Sequence, residues 1–142
     1  MKTLKTMMLG LAMLALCGAV KATTIEDGKL TENYAINTYI DAMTRGKLNG
    51  LNDVLDKSAT FNMVRGKQVL SFDKKQMVDY FQTNKNIEQE CTTSTSVVES
   101  NAGLAIVKVD MKFENFTRSN YVTIVHTGNG WKITNVYSVF VG

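Results

Sequence analysis

The chain has 142 residues, of which 44% are hydrophobic and 20% are charged, and its formal net charge is +3. It is long enough for one domain with a substantial core, and it contains neither an internal repeat nor a low-complexity tract. One His and two Cys in the whole sequence are too few for the usual nitrogen and sulfur ligands of zinc. The glycine-rich phosphate-binding motifs are also missing. We therefore expect no metal site and no cofactor.

Residues 1–22 are predicted to be a signal peptide. Lys2 and Lys5 give a positive start, residues 7–16 are apolar, and residues 20–22 form a small-residue cleavage site. The apolar stretch is too short to cross a bilayer as a helix, so we expect a periplasmic or secreted protein with no stable membrane span.

An alternative is a lipoprotein anchored at Cys17, although Leu16 stands where such signals have a smaller residue. In either case residues 23–29 form a flexible lead-in, and residues 30–142 form the domain.

The charge of the mature chain differs from that of the precursor. Removing residues 1–22 takes away three of the 16 basic residues and leaves 13, which equals the number of acidic residues. A neutral domain has no basic excess with which to hold phosphates, so nucleic acid is not an expected partner. Cys91 is the cysteine that remains after cleavage, and it is either a buried small hydrophobe or a site of intermolecular pairing.

The first half of the domain carries helical periodicity. From Thr31 onward the apolar residues recur at helical spacing and end at Gly46, which predicts an amphipathic helix with a glycine C-cap. The apolar residues of this stripe are Ala35, Ile36, Tyr39, Ile40 and Met43. A shorter helical turn is predicted over residues 48–55.

Two short strands, over residues 58–64 and 67–72, are then predicted around a turn at Arg65-Gly66. Asp73 and Gln76 form a capping pair that begins a third helix. Its predicted buried stripe consists of Met77, Val78, Tyr80 and Phe81. Residues 88–99 are polar and β-branched, which favours an edge strand.

The last quarter, residues 104–141, predicts three long strands. Apolar residues from Ala105 to Phe113 alternate with charged ones, which gives a strand one dry and one wet face. Residues 121–126 are half apolar on both faces, which leaves the inward side of this strand open, and a turn at residues 127–130 follows. In the final strand, strict alternation places Trp131, Ile133, Asn135, Tyr137 and Val139 on one face. Early helices followed by a late meander of strands predict an α+β fold.

The whole mature chain resembles the nuclear transport factor 2-like superfamily, and in particular its exported bacterial branch of lumazine-binding-like and polyketide-cyclase-like proteins. The stretches that carry the resemblance are residues 39–43, 71–78, 121–125 and 130–136. The resemblance implies a cone-shaped fold, also called the cystatin-like fold. In this fold a strongly curved antiparallel sheet wraps the N-terminal helices and leaves a pocket at its open end. It also implies a homodimer through the outer face of the sheet. The function of such a domain does not follow from its fold.

Enzymes of this superfamily generally point an Asp into the pocket, alone or with a His or Tyr, and the apolar strand faces of this sequence carry no Asp or Glu. The first hypothesis is therefore a non-catalytic domain that binds a small, mostly apolar ligand or serves as a dimeric interaction module. Tyr39, Trp131, Asn135 and Tyr137 are the candidate ligand contacts. Trp131 can equally be core packing, and Asn135 and Tyr137 can equally bond backbone groups within the cone.

The alternative is an isomerase, cyclase or dehydratase that uses His126 with a pocket tyrosine, Tyr137 or Tyr39. His126 is the only histidine in the sequence, and histidine is the side chain most often used as a general base near neutral pH. It can equally be a partly solvated residue where a strand meets a turn. The enzymatic hypothesis requires His126 to lie buried at the pocket with a hydrogen-bond partner.

Overall fold

Residues 31–142 are described by a computed structural model. The predicted signal peptide, the lead-in and the alternative anchor at Cys17 lie outside these residues. The described elements are, in chain order, α1 (Glu32–Arg45), α2 (Leu51–Val54), β1 (Leu55–Arg65), β2 (Gln68–Asp73), α3 (Lys74–Thr83), β3 (Thr92–Ser100), β4 (Leu104–Lys112), β5 (Thr117–Thr127) and β6 (Gly130–Val141).

The strands form one curved six-stranded sheet in the order β2-β1-β6-β5-β4-β3. Four of the pairings are antiparallel, and the pairing of β1 with β6 is parallel. The α+β fold and the cone are confirmed, with this one parallel pairing in a sheet that we expected to be antiparallel throughout. The parallel pairing matters for the site because β1 and β6 finish at the same end of the sheet, where β2 and β5 begin.

The helix ends follow their local signals. The side chain of Thr31 accepts a hydrogen bond from the backbone of Tyr34 and caps α1, and Gly46 ends the helix in the left-handed conformation. Asp73 and Gln76 form the predicted capping box of α3. These caps satisfy backbone groups that the first or last helical turn leaves unpaired, and so they fix where each helix stops against the sheet.

The core lies between the helices and the inner face of the sheet. Strand β4 alternates as predicted, with its apolar residues from Ala105 to Met111 buried. Buried residues from all three described helices and four strands join in one cluster: Ala35, Ile36, Tyr39, Ala42, Leu51, Val54, Leu55, Ala59, Phe61, Met77, Phe81, Val107, Val109, Val122, Ile124, Ile133 and Val136. Trp131 is half-buried and packs against this cluster. Strand β3 is the predicted edge strand, and it is exposed along its length.

The predicted face of β6 is wrong beyond Ile133. Ile124 of β5 pairs with Ile133, but the preceding Thr123 pairs with Asn135, so Thr134 is an extra residue in β6. Such a β-bulge reverses the alternation of the residues that follow it. Asn135 therefore lies on the outer face of the sheet, whereas strict alternation had placed it with Ile133 on the inner face.

The same reversal moves Tyr137 to the outer face, opposite Tyr121. Val136 and Ser138 take the inner positions and are almost fully buried.

Smaller corrections concern element ends and burial. Tyr80 of α3 was expected in the core, but it is 55% exposed at the edge of the helix stripe. The second helix is a single turn, because Leu55 already begins β1. Cys91 is half-buried. None of the helices within residues 31–142 is long and apolar enough to cross a bilayer.

Candidate functional site

A cavity of about 460 Å³ opens at the end of the sheet where β1 and β6 finish. Its walls come from the inner face of β1 and β2, from Arg118 near the start of β5 and from one side of α3. The lining residues are Met63, Arg65, Leu70, Phe72, Gln76, Met77, Tyr80 and Arg118. Most of this surface is apolar. We call it the mouth cavity.

Arg118 is one of the two charged residues that line the mouth cavity. It stands near the start of β5, directly opposite Met111 on β4 and Phe140 on β6. Its guanidinium carbon lies 5.5 Å from the centre of the Phe140 ring, within the range of a cation–π contact. Arg118 also lines a narrow crevice, next to Tyr39, that continues from this region towards the core.

Two buried side chains hold the Arg118 guanidinium in place. Its Nε donates to Oδ1 of Asn120 at 3.1 Å, and its Nη2 donates to Oγ of Ser138 at 3.2 Å. Ser138 in turn donates to Oδ1 of Asn120 at 2.6 Å, and the Asn120 amide donates to the backbone oxygen of Val109. Asn120 and Ser138 are 0% and 2% exposed. Every member of this network is bonded, so the network fixes the direction in which Arg118 points.

Tyr39 supplies the second polar group at the inner end of the site. Its side chain is 1% exposed, and its hydroxyl has no hydrogen-bond partner within the described part of the chain. Burial raises the pKa of Tyr39 to about 12, against an opposing effect of the nearby Arg118 cation. The hydroxyl is therefore a neutral donor at physiological pH, and a buried donor without an acceptor is costly.

The charge of the mouth cavity is positive. Arg65 and Arg118 are its charged lining residues, and no Asp or Glu belongs to the lining. The acidic side chains of residues 31–142 all lie outside the buried core. Asp110, on the outer face, contacts Lys108 and accepts a bond from Ser119. Within residues 31–142 no group of His, Cys, Asp and Glu side chains is suited to a metal ion.

None of the four predicted ligand contacts lines the mouth cavity itself, but Tyr39 lines the adjoining narrow crevice together with Arg118. Asn135 lies on the outer face, where its Oδ1 accepts hydrogen bonds from Thr60 at 2.9 Å and from Asn62 at 2.8 Å. Tyr137 lies on the same outer face, and Trp131 packs at the opposite end of the sheet.

His126 is exposed, and its ring lies 5.2 Å from that of Trp131. It stands eight residues from Arg118 along β5, a separation of about 25 Å in an extended strand. The geometry required by the His126 hypothesis, a buried imidazole beside a pocket tyrosine, is therefore absent from this arrangement.

Sequence reasoning missed Arg118, Asn120 and Ser138. A signal for the first two was available, because extending the inner alternation of Val122 and Ile124 backwards puts both of them on the inner face. We began the strand at Tyr121, four residues after its true start at Thr117. Ser138 carried no such signal, since its inward position depends on the bulge.

The fold and the site together define the class of protein. A curved sheet that wraps the helices and opens on a cavity at one end is the arrangement of the nuclear transport factor 2-like (NTF2-like) proteins. Residues 30–138 match the sequence family described as "Putative lumazine-binding". The chain belongs to this family.

Solved structures agree on the fold. An NTF2-like protein of unknown function from Silicibacter pomeroyi is similar with a TM-score of 0.64 and 17% identity, over 83% of this chain and 98% of that one. An NTF2-like protein from Cytophaga hutchinsonii gives 0.61 and 11%, over 75% and 93%. A protein from Parabacteroides distasonis described as a "putative ketosteroid isomerase" gives 0.54 and 11%, over 76% and 86%. No curated protein sequence matches the chain.

Proposed function

We propose that this protein binds a small, flat organic molecule whose apolar body fills the mouth cavity and whose oxygen atom reaches Tyr39 and Arg118. The observation that carries the proposal is the Tyr39 hydroxyl, which is buried next to an oriented guanidinium and has no hydrogen-bond partner within residues 31–142. A ligand oxygen would give this donor the acceptor that it lacks. The cavity volume of about 460 Å³ lies in the range of small-molecule sites.

The lining supports a particular ligand chemistry. Met63, Leu70, Phe72 and Met77 offer an apolar surface to a planar ring system. The Arg118 guanidinium has more N–H donors than its two bonds to Asn120 and Ser138 use. A bicyclic heteroaromatic ring with carbonyl oxygens, such as the lumazine after which the family is described, combines both features.

The test is a fluorescence titration of the purified protein with lumazine. We expect saturable binding that Arg118→Gln weakens at least about tenfold, because a hydrogen bond to a charged donor is worth about 1.5 to 3 kcal/mol. Phe72→Ala should also weaken binding, since it removes an apolar wall. His126→Gln is the matched control, because it changes an exposed polar side chain at the far end of β5 and should leave the affinity unchanged.

Two results would overturn the proposal. One is the absence of saturable lumazine binding together with the absence of any small molecule bound to the protein in native mass spectrometry. The other is lumazine binding with the same affinity in the wild-type protein and in Arg118→Gln, since the ligand would then sit elsewhere.

We further propose, from the sequence, that the chain is exported and that it forms a homodimer through the outer face of the sheet. The support for export is the signal-like pattern of residues 1–22. Intact-mass measurement after expression in a bacterium with a periplasm tests export, since cleavage should leave a chain that starts at Thr23. Sedimentation equilibrium tests the dimer, and a monomer at micromolar concentration would refute it.

A further inference from the structure

The mouth cavity holds a second cation besides Arg118. Arg65, the last residue of β1, lines the same cavity, and its guanidinium carbon lies 5.4 Å from the centre of the Phe140 ring. Arg118 lies 5.5 Å from the same centre. The two guanidinium carbons are therefore at most about 11 Å apart, and both charges lie against the same ring.

Neither cation is paired with an acidic side chain in the described part of the chain. Within residues 31–142 the ion pairs are Asp41 with Arg45, Lys75 with Asp79, and Lys108 with Asp110, so neither Arg65 nor Arg118 takes part in one. The nearest acidic residue on the helix that forms a wall of the cavity, Asp79, is paired with Lys75 and faces solvent. Two like charges at one apolar cavity repel each other and raise the local positive potential.

We infer that the natural ligand is an organic anion, a planar aromatic or polycyclic carboxylate, and that Arg65 and Arg118 both act on its carboxylate. This inference rests on the proposed function and narrows its ligand class. A guanidinium fork matches the two oxygens of a carboxylate, and the shared contact with the Phe140 ring keeps the two arginines close to each other. The oxygen that reaches Tyr39 then belongs to the anionic group.

The division of work between the two arginines follows from their surroundings. Arg118 is held by Asn120 and Ser138, so it sets the position of the anionic group. Arg65 is exposed, and its side chain contacts the Phe140 ring. It is therefore free to move towards the bound carboxylate. Its contribution should therefore lie in charge rather than in exact placement.

The experiment compares two probes of equal size that differ in charge, 2-naphthoate and 2-naphthamide, by isothermal titration calorimetry of the purified protein at fixed ionic strength. We expect naphthoate to bind at least about tenfold more tightly than naphthamide, because a hydrogen bond between charged groups is stronger than one to a neutral amide. Arg65→Gln should reduce this preference severalfold without weakening the binding of naphthamide, since Arg118 still contacts the carboxylate in the variant.

Lys67→Gln is the matched control. Lys67 is exposed in the turn after β1, two residues beyond Arg65, and it does not line the cavity. The Lys67→Gln substitution therefore removes the same charge close to Arg65. It should leave the ratio of the naphthoate and naphthamide affinities unchanged. Thermal unfolding of both variants verifies that each one is folded.

The outcomes separate this inference from the proposed function. Equal affinity for the two probes would overturn the anionic ligand while leaving a small-molecule site in place. So would a preference for naphthoate that Arg65→Gln leaves undiminished, or one that Lys67→Gln reduces to the same degree. Failure of naphthoate, naphthamide and lumazine alike to bind would overturn the proposed function itself.

Discussion

Replacing Tyr39 with Phe should make the protein more stable and a poorer binder. The Tyr39 ring packs edge-on against Phe81, with ring centres 6.5 Å apart and an interplanar angle of 89°. Phenylalanine keeps this contact and removes only the hydroxyl, which is buried and has no partner within the described part of the chain. The substitution thus deletes a buried polar group without leaving a large cavity.

The expected size follows from the cost of an unpaired buried hydroxyl. Leaving such a group unsatisfied costs about 1 to 3 kcal/mol, so the free energy of unfolding should rise by about 1 to 2 kcal/mol once the small volume change is allowed for. For a domain of this length, each kcal/mol shifts the melting temperature by about 4 °C. Lumazine or naphthoate affinity should fall in the same variant, because the ligand oxygen loses a donor.

The assay is urea and thermal unfolding of Tyr39→Phe beside Tyr137→Phe, followed by ligand titration of both. Tyr137 undergoes the same chemical change on the outer face of the sheet, so its variant should keep both the stability and the affinity of the wild-type protein. A loss of stability in Tyr39→Phe would refute the reasoning, since the hydroxyl would then be bonded in the folded protein. Unchanged affinity would remove Tyr39 from the site.

Three further predictions concern pH, a helix end and the support of Arg118. Burial raises the pKa of Tyr39 to about 12, so the unfolded chain loses this proton at a lower pH than the folded protein does. The free energy of unfolding should therefore fall as the pH rises from about 10 to 12. Urea unfolding of Tyr39→Phe should not show this fall. Gly46→Ala should cost about 2 to 4 kcal/mol, since φ is +65° and a Cβ would lie 2.5 Å from the oxygen of Asn84. Gly66→Ala is the control, since φ is +60° there as well but a Cβ would have no described atom within 4 Å. It should cost about 1 to 2 kcal/mol of unfolding free energy. Equal losses of stability in the two variants would show that the contact at Gly46 is unimportant. Asn120→Ala should lower both the stability and the naphthoate affinity, because it removes the acceptor of Arg118 and Ser138. His126→Gln should lower neither. Unchanged naphthoate affinity in Asn120→Ala would mean that Arg118 needs no support from Asn120.

Much of the fold was predictable because its signals are local. The Thr31 and Gly46 caps and the capping box at Asp73 are each set by residues within one helical turn. The alternation of β4 is equally local, since each residue of a regular strand reports its own face. A solvent-exposed Tyr80 was not predictable in this way, because it lies at the margin of an apolar stripe and the packing of α3 on β1 decides which side of the stripe is covered.

The site was less predictable because its key residues are polar. Apolar alternation identifies an inner face, but Arg118 and Asn120 interrupt it and look like residues of a loop or an outer face. Tyr39 could be found because it belongs to the helical stripe of α1. The partner strand that pairs with β5 was needed to show that the interruption is inside the cone.

The bulge at Thr134 connects the fold to the site. Had β6 alternated strictly from Ile133, Asn135 and Tyr137 would face the interior, and Ser138 would face outward, away from Asn120. One extra residue reverses these positions, so that Ser138 meets both Arg118 and Asn120. The same reversal brings Phe140 inward, opposite Arg118, where it faces the guanidinium of Arg65 as well. The cationic end of the cavity thus depends on an irregularity in β6 that leaves no mark on the hydrophobic pattern of the sequence.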